Sequence, residues 1–592
     1  MGGACKRWAA RAMSFGSFLR PICRVLSGRQ PQLQDSDERR ALEQPAEDRA
    51  EGNQHDHQAA QAELDTTKAE LRCVTWNIAA INNNPFEYYV TLDDGMGYKE
   101  LMEAVQDFID APGPRDVKVG QVFTPAMFAK LQEAMVAQGW TGVDKVVSLW
   151  LMDFSNRSII SGFIKDKEIG SKRLASMPDR FTNTINCADG GIFCRPTVIN
   201  NYAVEMPDLD AWFDQWFEFF FQTEVPVKNK HGEPETKKVC ALLQPIKRAK
   251  YPAVTEEEEA ISIPLQVLAL AIFDAILVHI MNSSTNARPE APISWHDIKM
   301  KLCGALVVNK QSNVISVLAE HAAYFDADII FLQEVAGAFV EAFEQDDQLR
   351  NRFLLLAPKR IDYVRDQNSL ILVAKDRLPP DTDAATCEEV DIGNALDSNT
   401  PVVDGDVCAF VVPLLFAGKA VKKTILASFH GDTAGLASTP VVAALREAAA
   451  SRSLPLVFGL DANTHGLADP KGSTKHVDSF LADLQDGQEP LGHCWGGEDK
   501  RKWTTTCNAR TYLQPQLNKA VPYAERLSSK LTDCNPKDFV LFSSSDFEVV
   551  VHAARDNTGR GVFVEGMDFP SLSFPSDHAV VSATIRKRKR ED

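Results

Sequence analysis

Short apolar runs with strand character recur along the chain and constrain its fold class. They are LRCVTWNIAAI (71–81), DADIIFLQEV (326–335), SLILVA (369–374), FVVPLLF (410–416), TILASFH (424–430), LVFGL (456–460), DFVLFS (538–543) and HAVVSATI (578–585). Apolar runs of this length are typical of buried strands. Helical patterns are fewer in this part of the chain, and residues 438–450 give the clearest one. Many strands with few helices argue against a doubly wound fold and predict an α/β (α+β) chain of packed sheets with helices outside.

Nearly every run begins or ends with a polar residue that suits metal or phosphate chemistry. Carboxylate and amide oxygens are the ligands that Mg²⁺ prefers, and an Asp–His pair can position an imidazole for proton transfer. One such short motif occurs by chance in many chains, whereas a series tied to successive strands predicts a single site. The series comprises Asn77, Glu334, His430, Asp461, Asn463, Asp538, Asp577 and His578.

The stretch LVFGLDANTH (456–465) shows the pattern most clearly. Its apolar run predicts a buried strand, and residues i and i+2 of an extended chain point the same way. Asp461 and Asn463 are therefore expected to project together from the end of that strand. The alternative is that Asp-Ala-Asn is only a turn, since Asp and Asn favour turns.

In the order Asn77, Gln333-Glu334, His430, Asp461-Ala-Asn463, Asp538 and Ser576-Asp577-His578, the series resembles the endonuclease/exonuclease/phosphatase superfamily, the group of deoxyribonuclease I. The resemblance covers residues 71–82 and 311–586. One departure is Gly-Leu-Asp-Ala-Asn, in which Gly459 and Asp461 are one residue further apart than in the family pattern. The resemblance implies a four-layer sandwich, made of two packed mixed β-sheets flanked by helices, with the site where both sheets end.

The resemblance also implies a role for each residue of the series. Glu334 would hold a catalytic Mg²⁺, with Mn²⁺ as an alternative, and Asn77 would lie beside it. Asp461 would orient and deprotonate the attacking water, and Asn463 would hold the phosphate or the metal. His578, oriented by Asp577, would be a general base or an imidazolium on the phosphate. His430 would contact the scissile phosphate. Asp538 would complete the polar network through His430 or the metal.

The substrate class is less constrained than the chemistry. His430 stands where apurinic endonucleases of the family have Tyr, and the residues around Asp538 lack the signature of the inositol 5-phosphatases. We therefore expect a metal-dependent phosphoesterase that acts on a nucleic acid or nucleotide, with an inositol phosphate or phospholipid as the alternative. An inactive binding relative is a third hypothesis, which the presence of Glu334, Asp461 and His578 disfavours.

A locally basic segment lies between the strands that carry Asp461 and Asp538. The formal net charge of −18 disfavours indiscriminate nucleic-acid binding, which needs a basic surface. Basic residues near Trp503 could hold phosphates at the rim of the site and stack a base, although a solvated loop is an equal alternative. Within this segment, Asn508 and Arg510 are the predicted substrate-binding residues; the other basic residues are Lys500, Arg501, Lys502, Lys519, Arg526 and Lys530.

Residues 85–300 fall outside the resemblance and carry helix signals of their own. Thr124-Pro125 marks a helix start, residues 208–223 form an aromatic stripe, and Ile261–Met281 predicts a buried helix rather than a membrane span, so we expect no transmembrane segment. This large, mainly helical insertion interrupts a catalytic domain of residues 71–592. Because the chain leaves for it just after Asn77, we expect it to be rooted on the active-site side, as a lid or specificity wall.

The termini and cysteines bear on localisation. Residues 1–34 are basic with no acid before Asp35, a pattern that fits a mitochondrial or plastid targeting segment or, equally well, a disordered basic tail, with a membrane anchor as a weaker alternative. Residues 35–70 read as a polar linker. The RKRKR segment (586–590) is basic enough for nuclear import. The 12 cysteines form no C-x-x-C pair and predict free thiols in an intracellular, reducing compartment.

Overall fold

The computed structural model describes residues 69–86, 97–228, 234–285, 294–363, 365–416, 421–487, 489–506, 513 and 534–588. The basic segment of residues 1–34 and almost all of the linker lie outside these ranges, as do Asn508 and Arg510.

The strands occur mainly in the regions that resemble the superfamily, and the helices mainly in the insertion. The strands are β1 Glu70–Asn77, β2 Thr184–Asn186, β3 Ile192–Cys194, β4 Glu224–Lys228, β5 Pro234–Lys238, β6 Ile329–Val335, β7 Phe353–Leu356, β8 Asn368–Ala374, β9 Glu388–Glu389, β10 Val407–Leu415, β11 Val421–His430, β12 Leu456–Asp461, β13 Leu491–His493, β14 Asp538–Ser543, β15 Phe547–Asp556 and β16 Val580–Lys587. The α-helices are α1 Tyr98–Asp110, α2 Val119–Val122, α3 Pro125–Ala137, α4 Val143–Met152, α5 Lys167–Ser171, α6 Ser176–Thr182, α7 Leu209–Phe221, α8 Glu256–Ala260, α9 Ser262–Thr285, α10 Trp295–Cys303, α11 Lys310–Glu320, α12 Ala322–Phe325, α13 Ala338–Gln345, α14 Asp347–Arg352, α15 Ser438–Arg452 and α16 Val477–Gln485.

Two six-stranded mixed sheets form the body of the fold. The first has the order β15-β16-β1-β6-β8-β7, and the second has the order β13-β14-β12-β11-β10-β9. Within each sheet one central pair is parallel, β1 with β6 and β11 with β12, and the other pairs are antiparallel. Parallel neighbours require a long connection, and the insertion lies within the one that joins β1 to β6.

The two sheets pack face to face, and each carries helices on its outer face. One apolar cluster joins Phe331 and Ile371 of the first sheet to Phe458 of the second. A separate cluster packs helices α11, α13 and α14 on the outer face of the first sheet. Helices α15 and α16 cover the second sheet. The predicted four-layer α/β sandwich is therefore confirmed.

Close packing of the two sheets explains why residue 459, in the motif around Asp461, is a glycine. A Cβ at this position would lie 2.4 Å from the Cβ and ring atoms of Phe331 in the facing sheet. Only glycine lets the sheets approach this closely, because a methyl group there would overlap the phenylalanine.

The insertion has its own hydrophobic core, which extends from Phe86 to Leu306 and also takes in Leu513. Helix α9 is its central element. By length and composition it is the one helix of the described chain that could cross a membrane alone, yet 89% of its most apolar window is buried in the protein. Its only buried carboxylate, Asp274, forms an ion pair of 2.7 Å with the fully buried Arg195.

Side-chain caps begin several helices of the insertion. The predicted start at Thr124-Pro125 is confirmed, since Thr124 caps α3 with Pro125 as its first residue, and Asp208 caps α7. Thr255 caps the short helix α8 through a reciprocal bond with Glu258, and the helix ends at Ile261 before the long helix α9 begins.

Four strands of the two main sheets were not anticipated from the sequence, namely the edge strands β7, β9, β13 and β15, and neither were the short strands β2 to β5 of the insertion. Strand β15 has only its two end residues buried, so its sequence lacks the continuous apolar character of an interior strand. The basic run at residues 586–590 begins inside β16, where Arg586 lies 3.6 Å from Glu70.

Candidate active site

The predicted site residues converge on one edge of the sandwich, where strands of both sheets end or begin. In the second sheet, His430 is the register partner of Asp461, and Asp461 is the partner of Asp538. In the first sheet, Asn77 ends β1 beside Gln333 of β6. Parallel strands end at the same edge at which an antiparallel neighbour begins, so residues distant in sequence meet there.

Glu334 and Asn77 join the two sheets. The Asn77 Nδ2 amide donates to Glu334 Oε1 at 3.0 Å and to Asp461 Oδ2 at 2.9 Å. The backbone N–H of Ala80 donates to Glu334 Oε2 at 2.8 Å. Burial raises the pKa of Glu334, but the nearby His430 and the bonds from Asn77 and Ala80 outweigh it and lower the pKa to about 2. The carboxylate is therefore ionised at neutral pH.

The backbone is strained at this point of the fold. Glu334 has a φ of 54°, Ala79 a φ of 57° and Asn463 a φ of 47°, a left-handed region that non-glycine residues rarely adopt. Glu334 also lies in a register shift between β6 and β8, which turns its side chain toward the site. Backbone strain of this kind concentrates at functional sites.

Asp461 and Asn463 meet in a way that corrects the sequence-based expectation. Strand β12 ends at Asp461, and Asn463 is left-handed rather than extended. Its backbone N–H donates to Asp461 Oδ1 at 2.8 Å, which is an Asp-initiated turn. The turn alternative is thus correct, and this turn also brings Asn463 to the buried edge beside Asp461. The approaching Gly435 has no room for a side chain, since a Cβ would lie 2.5 Å from the Asn463 carbonyl oxygen.

Two imidazoles flank one oxygen of Asp461. His430 Nε2 and His578 Nε2 each lie 3.8 Å from Asp461 Oδ2. His430 Nε2 also lies 3.2 Å from Glu334 Oε1. All these side chains except that of Glu334 are less than a tenth exposed. The arrangement directs two nitrogen atoms and two carboxylates at one small volume.

His578 is oriented by Asp538, not by its neighbour Asp577. Its Nδ1 lies 2.9 Å from Asp538 Oδ2, which also accepts a 2.5 Å bond from Thr505 Oγ1. The expectation that Asp577 orients the ring is therefore wrong, and Asp538 contacts His578 where a contact with His430 was expected, whereas a role of Asp538 at the metal stays a prediction. Burial lowers the pKa of His578, but the carboxylates of Asp538 and Asp461 outweigh it and raise the pKa to about 10. The ring is an imidazolium at neutral pH.

Several side chains of the site were not identified from sequence. Gln367 Nε2 donates to Glu334 Oε2 at 3.4 Å, and Ser576 Oγ donates to the Asn77 carbonyl at 2.6 Å. The buried Lys310 donates from Nζ to the Ala80 carbonyl at 3.1 Å. Burial lowers its pKa to about 8, against the opposing effect of the Asp577 and Glu334 carboxylates. The available signals were the position of Gln367 immediately before β8 and that of Ser576 in the Ser-Asp-His motif.

Both ends of the insertion lie at this site, as expected. Where the chain leaves for the insertion, the Ala80 N–H donates to Glu334. Where the chain returns, Lys310 donates to the Ala80 carbonyl. Of the predicted basic rim, the described residues Lys500–Trp503 form a short 3₁₀ turn in which Trp503 is buried and stacks on Trp495. Trp503 is thus unavailable for stacking a base.

The donor set fits a hard divalent cation. Ligand atoms of Glu334, His430 and Asp461 lie within 4.8 Å of one another, and so do those of Asp461, Asp538 and His578. Asp538 Oδ1 is buried and accepts no hydrogen bond within the described part of the chain. Carboxylate oxygens brought together in this way, with a permanently ionised Glu334, match the ligand preference of Mg²⁺.

Comparisons with known proteins give a domain of unknown function and a set of distant structural matches. A family model described as "Domain of unknown function (DUF8234)" matches residues 116–300, inside the insertion. No curated protein matches the chain.

Among solved structures, the humanized D. rerio TDP2 is 15% identical and covers 48% of this chain and 95% of its own, with a TM-score of 0.30. The human Nocturnin catalytic domain is 14% identical, covering 47% and 87%, with a TM-score of 0.27. ANGEL2, a 2′,3′-cyclic phosphatase, is 14% identical, covering 47% and 85%, with a TM-score of 0.30. These proteins are members of the endonuclease/exonuclease/phosphatase superfamily, the group that the sequence motifs resemble.

Proposed function

We propose that the protein is a metal-dependent phosphodiesterase that hydrolyses a nucleic acid or nucleotide by in-line attack of water. The observation that carries this proposal is the placement of His430 Nε2 and His578 Nε2 at 3.8 Å from one oxygen of Asp461. A carboxylate between two imidazoles can activate a water while the imidazoles contact the phosphate.

Glu334 is the residue that would hold the metal, and the amide of Asn77 links its carboxylate to that of Asp461. A bound Mg²⁺ supplies Lewis-acid stabilisation of charge on the phosphate oxygens. Residues of the chain orient the carboxylate that would hold the metal. Asn77, Ala80 and Gln367 hold the Glu334 carboxylate in one orientation, which removes the need to reorganise it during the reaction.

Asp461 is the proposed general base. Its Oδ1 is held by the Asn463 N–H, so Oδ2 faces the histidines and can accept the proton of the attacking water. The water oxygen forms a bond to phosphorus as the bond to the leaving oxygen breaks. The leaving oxygen then takes a proton from His430 or from solvent.

His578 serves as a donor to the phosphate rather than as a base. With a pKa raised to about 10, its ring carries a proton at neutral pH, and a protonated imidazole has no lone pair with which to accept another. Asp538 holds Nδ1, which leaves Nε2 free to donate to a phosphate oxygen. This favours the imidazolium alternative over the general base.

A hydrolysis panel tests the function. It comprises single-stranded RNA and DNA, nicked and abasic DNA, a dinucleotide cofactor, an inositol polyphosphate and sphingomyelin, each with Mg²⁺, Mn²⁺ or EDTA. The full chain is compared with Asp461→Asn, which keeps the shape of the side chain but cannot act as a base. The matched control is His552→Gln, a histidine of β15 outside the site.

We expect metal-dependent cleavage of a nucleotide substrate by the wild type and by His552→Gln, and its loss in Asp461→Asn. Cleavage of only the inositol phosphate or the lipid would overturn the substrate class and retain the chemistry. Cleavage that persists in EDTA, or in Asp461→Asn at the wild-type rate, would overturn the mechanism.

We also propose an intracellular location. The eight cysteines of the described ranges from Cys73 to Cys494 form no disulfide, which suits a reducing compartment. The test compares the location of two fluorescent fusions, one of the full chain and one of a chain that lacks residues 1–34. The comparison distinguishes a mitochondrial or plastid location from a cytosolic or nuclear one. Secretion of the full chain would contradict the proposal.

A further inference from the structure

A polar cleft of about 420 Å³ lies where the insertion leaves the active site. One wall is the segment that follows Ala80, and the other belongs to α6 and the residues after it. We refer to the space between these two walls as the neck cleft. Its described lining residues are Ile81, Asn82, Asn83, Asn84, Asp179, Arg180, Asn183, Thr184 and Ile199.

Most of the polar groups in these walls are engaged with each other, which makes the walls rigid. On the near wall, Asn84 donates to the Leu513 carbonyl at 2.9 Å and its backbone N–H donates to Asn82 Oδ1. On the far wall, Asn183 donates to Asp179 Oδ1 at 3.1 Å and accepts from Thr184. A wall held in this way is preorganised for a ligand.

The one carboxylate of the cleft is paired from behind. Asp179 Oδ1 accepts a 2.6 Å bond from the guanidinium of Arg195, which is fully buried and also pairs with Asp274. This pairing reduces the repulsion that Asp179 would exert on an anion in the cleft. The exposed Arg180 adds a positive charge that is not paired within the described part of the chain.

Two lining side chains retain their hydrogen-bonding capacity. Neither Arg180 nor Asn83 forms a side-chain hydrogen bond or ion pair among the described residues. A guanidinium presents paired donors that match phosphate oxygens, and an amide offers a donor and an acceptor that match a base edge or a ribose. Together they suit one nucleotide unit better than a lipid tail, which would need an apolar lining.

The cleft is within reach of the scissile bond. Ala80 donates to Glu334 in the catalytic centre, and Asn83 follows it by three residues, which span at most about 11 Å. A ligand in the neck cleft can therefore belong to the same molecule whose phosphate lies between His430 and His578.

We propose that the neck cleft binds the nucleotide adjacent to the scissile phosphate of a single-stranded nucleic acid, with Arg180 on its phosphate and Asn83 on its nucleoside. This inference rests on the proposed function, since it assigns a substrate subsite to it. It gives the insertion the role of a specificity wall.

The test is a binding measurement that does not depend on turnover. All variants are made in the full chain carrying Asp461→Asn, and a fluorescent single-stranded oligonucleotide is titrated by anisotropy in Mg²⁺. Arg180→Glu and Asn83→Ala are compared with Arg248→Glu, an exposed arginine of the insertion outside the cleft. The salt dependence of Kd is measured for each, because each lost phosphate contact reduces the slope by about one.

We expect Arg180→Glu to raise Kd at least about tenfold and to lower the salt slope by about one, and Asn83→Ala to raise Kd severalfold without changing the slope. Arg248→Glu should match the parent. Equal effects of Arg180→Glu and Arg248→Glu would overturn the subsite. A mononucleotide that binds as tightly as the oligonucleotide, and with the same sensitivity to Arg180→Glu, would overturn the assignment to a nucleic-acid strand.

A second readout separates this inference from the proposed function. In the chain with Asp461 intact, kcat/KM is measured on the oligonucleotide and on bis(4-nitrophenyl) phosphate, which has no nucleoside. The ratio of the two should fall at least about tenfold in Arg180→Glu, because only the oligonucleotide reaches the cleft. An unchanged ratio would overturn the subsite, whereas no hydrolysis of either compound by the wild type would overturn the proposed function.

Discussion

His578 Nδ1 lies 2.9 Å from Asp538 Oδ2, and both side chains are buried at the edge where the two sheets end. This pair sets the charge of the ring that faces Asp461, since burial alone would lower the pKa of His578 and the carboxylates raise it to about 10. The pair therefore determines whether His578 can act as a donor to phosphate at neutral pH.

Replacing Asp538 with Asn should move the alkaline limb of the pH profile to lower pH. The amide keeps the shape but removes the charge that holds the proton on His578, so the ring loses that proton nearer to its ordinary pKa. We expect kcat/KM at pH 8 to fall about 100-fold, the cost of losing one donor that stabilises charge on the transition state. The measurement is kcat/KM against pH, and an unmoved alkaline limb would contradict the role of Asp538.

The same pair should make stability depend on pH. The folded pKa of His578, about 10, is above its ordinary value of 6.5, so protonation favours the folded state. The contribution is fully present below about pH 6.5 and is lost as the pH rises through about 10. The difference in free energy of unfolding between wild type and His578→Gln should shrink between pH 7 and pH 10. In the Asp538→Asn background, the effect of His578→Gln on the free energy of unfolding should change less with pH. An effect of His578→Gln that does not change with pH in the wild-type background would exclude the linkage.

Glu334→Gln should weaken metal binding without unfolding the chain. The Glu334 carboxylate, with a pKa lowered to about 2, is ionised at every working pH, and an amide cannot replace that charge. We expect the Kd for Mn²⁺, followed by electron paramagnetic resonance, to rise at least about tenfold. Glu341→Gln, an exposed residue of α13, is the control and should bind as the wild type does. Equal Kd values in both variants would show that Glu334 is not a ligand.

Lys310→Met should destabilise the neck of the insertion. The methionine fills a similar volume but leaves the half-buried Ala80 carbonyl without its 3.1 Å bond from Lys310. The net loss of one hydrogen bond costs about 0.5–1.5 kcal/mol. Urea unfolding measures the loss, with the exposed Lys145→Met of α4 as the control. A free energy of unfolding equal to that of the control would show that the bond is dispensable.

Gly459→Ala should reduce stability by about 1–3 kcal/mol, since overpacking a close sheet contact forces the neighbours apart. The added Cβ would lie 2.4 Å from Phe331. Gly304→Ala is the matched substitution, because a Cβ there has nothing within 4 Å. Thermal unfolding of both variants gives the comparison, and similar midpoints would mean that the sheets can separate without cost.

The sequence by itself determined the strands, their polar ends and most of the site. Apolar runs around Glu334, His430 and Asp461 predicted buried strands, and each became one. These signals are local, since they depend on the alternation and length of apolar residues in one segment. The edge strand β15 was not predicted from the sequence, and most of its residues are not buried.

Only the tertiary structure decided which groups touch. Asp577 is adjacent to His578, yet Asp538, 40 residues earlier, holds the ring. Neighbours in an extended chain point to opposite sides, whereas β14 begins at the edge where His578 enters its own strand, so the partner is set by sheet order. The neck cleft arises likewise from contacts between distant segments, which no local pattern of residues encodes.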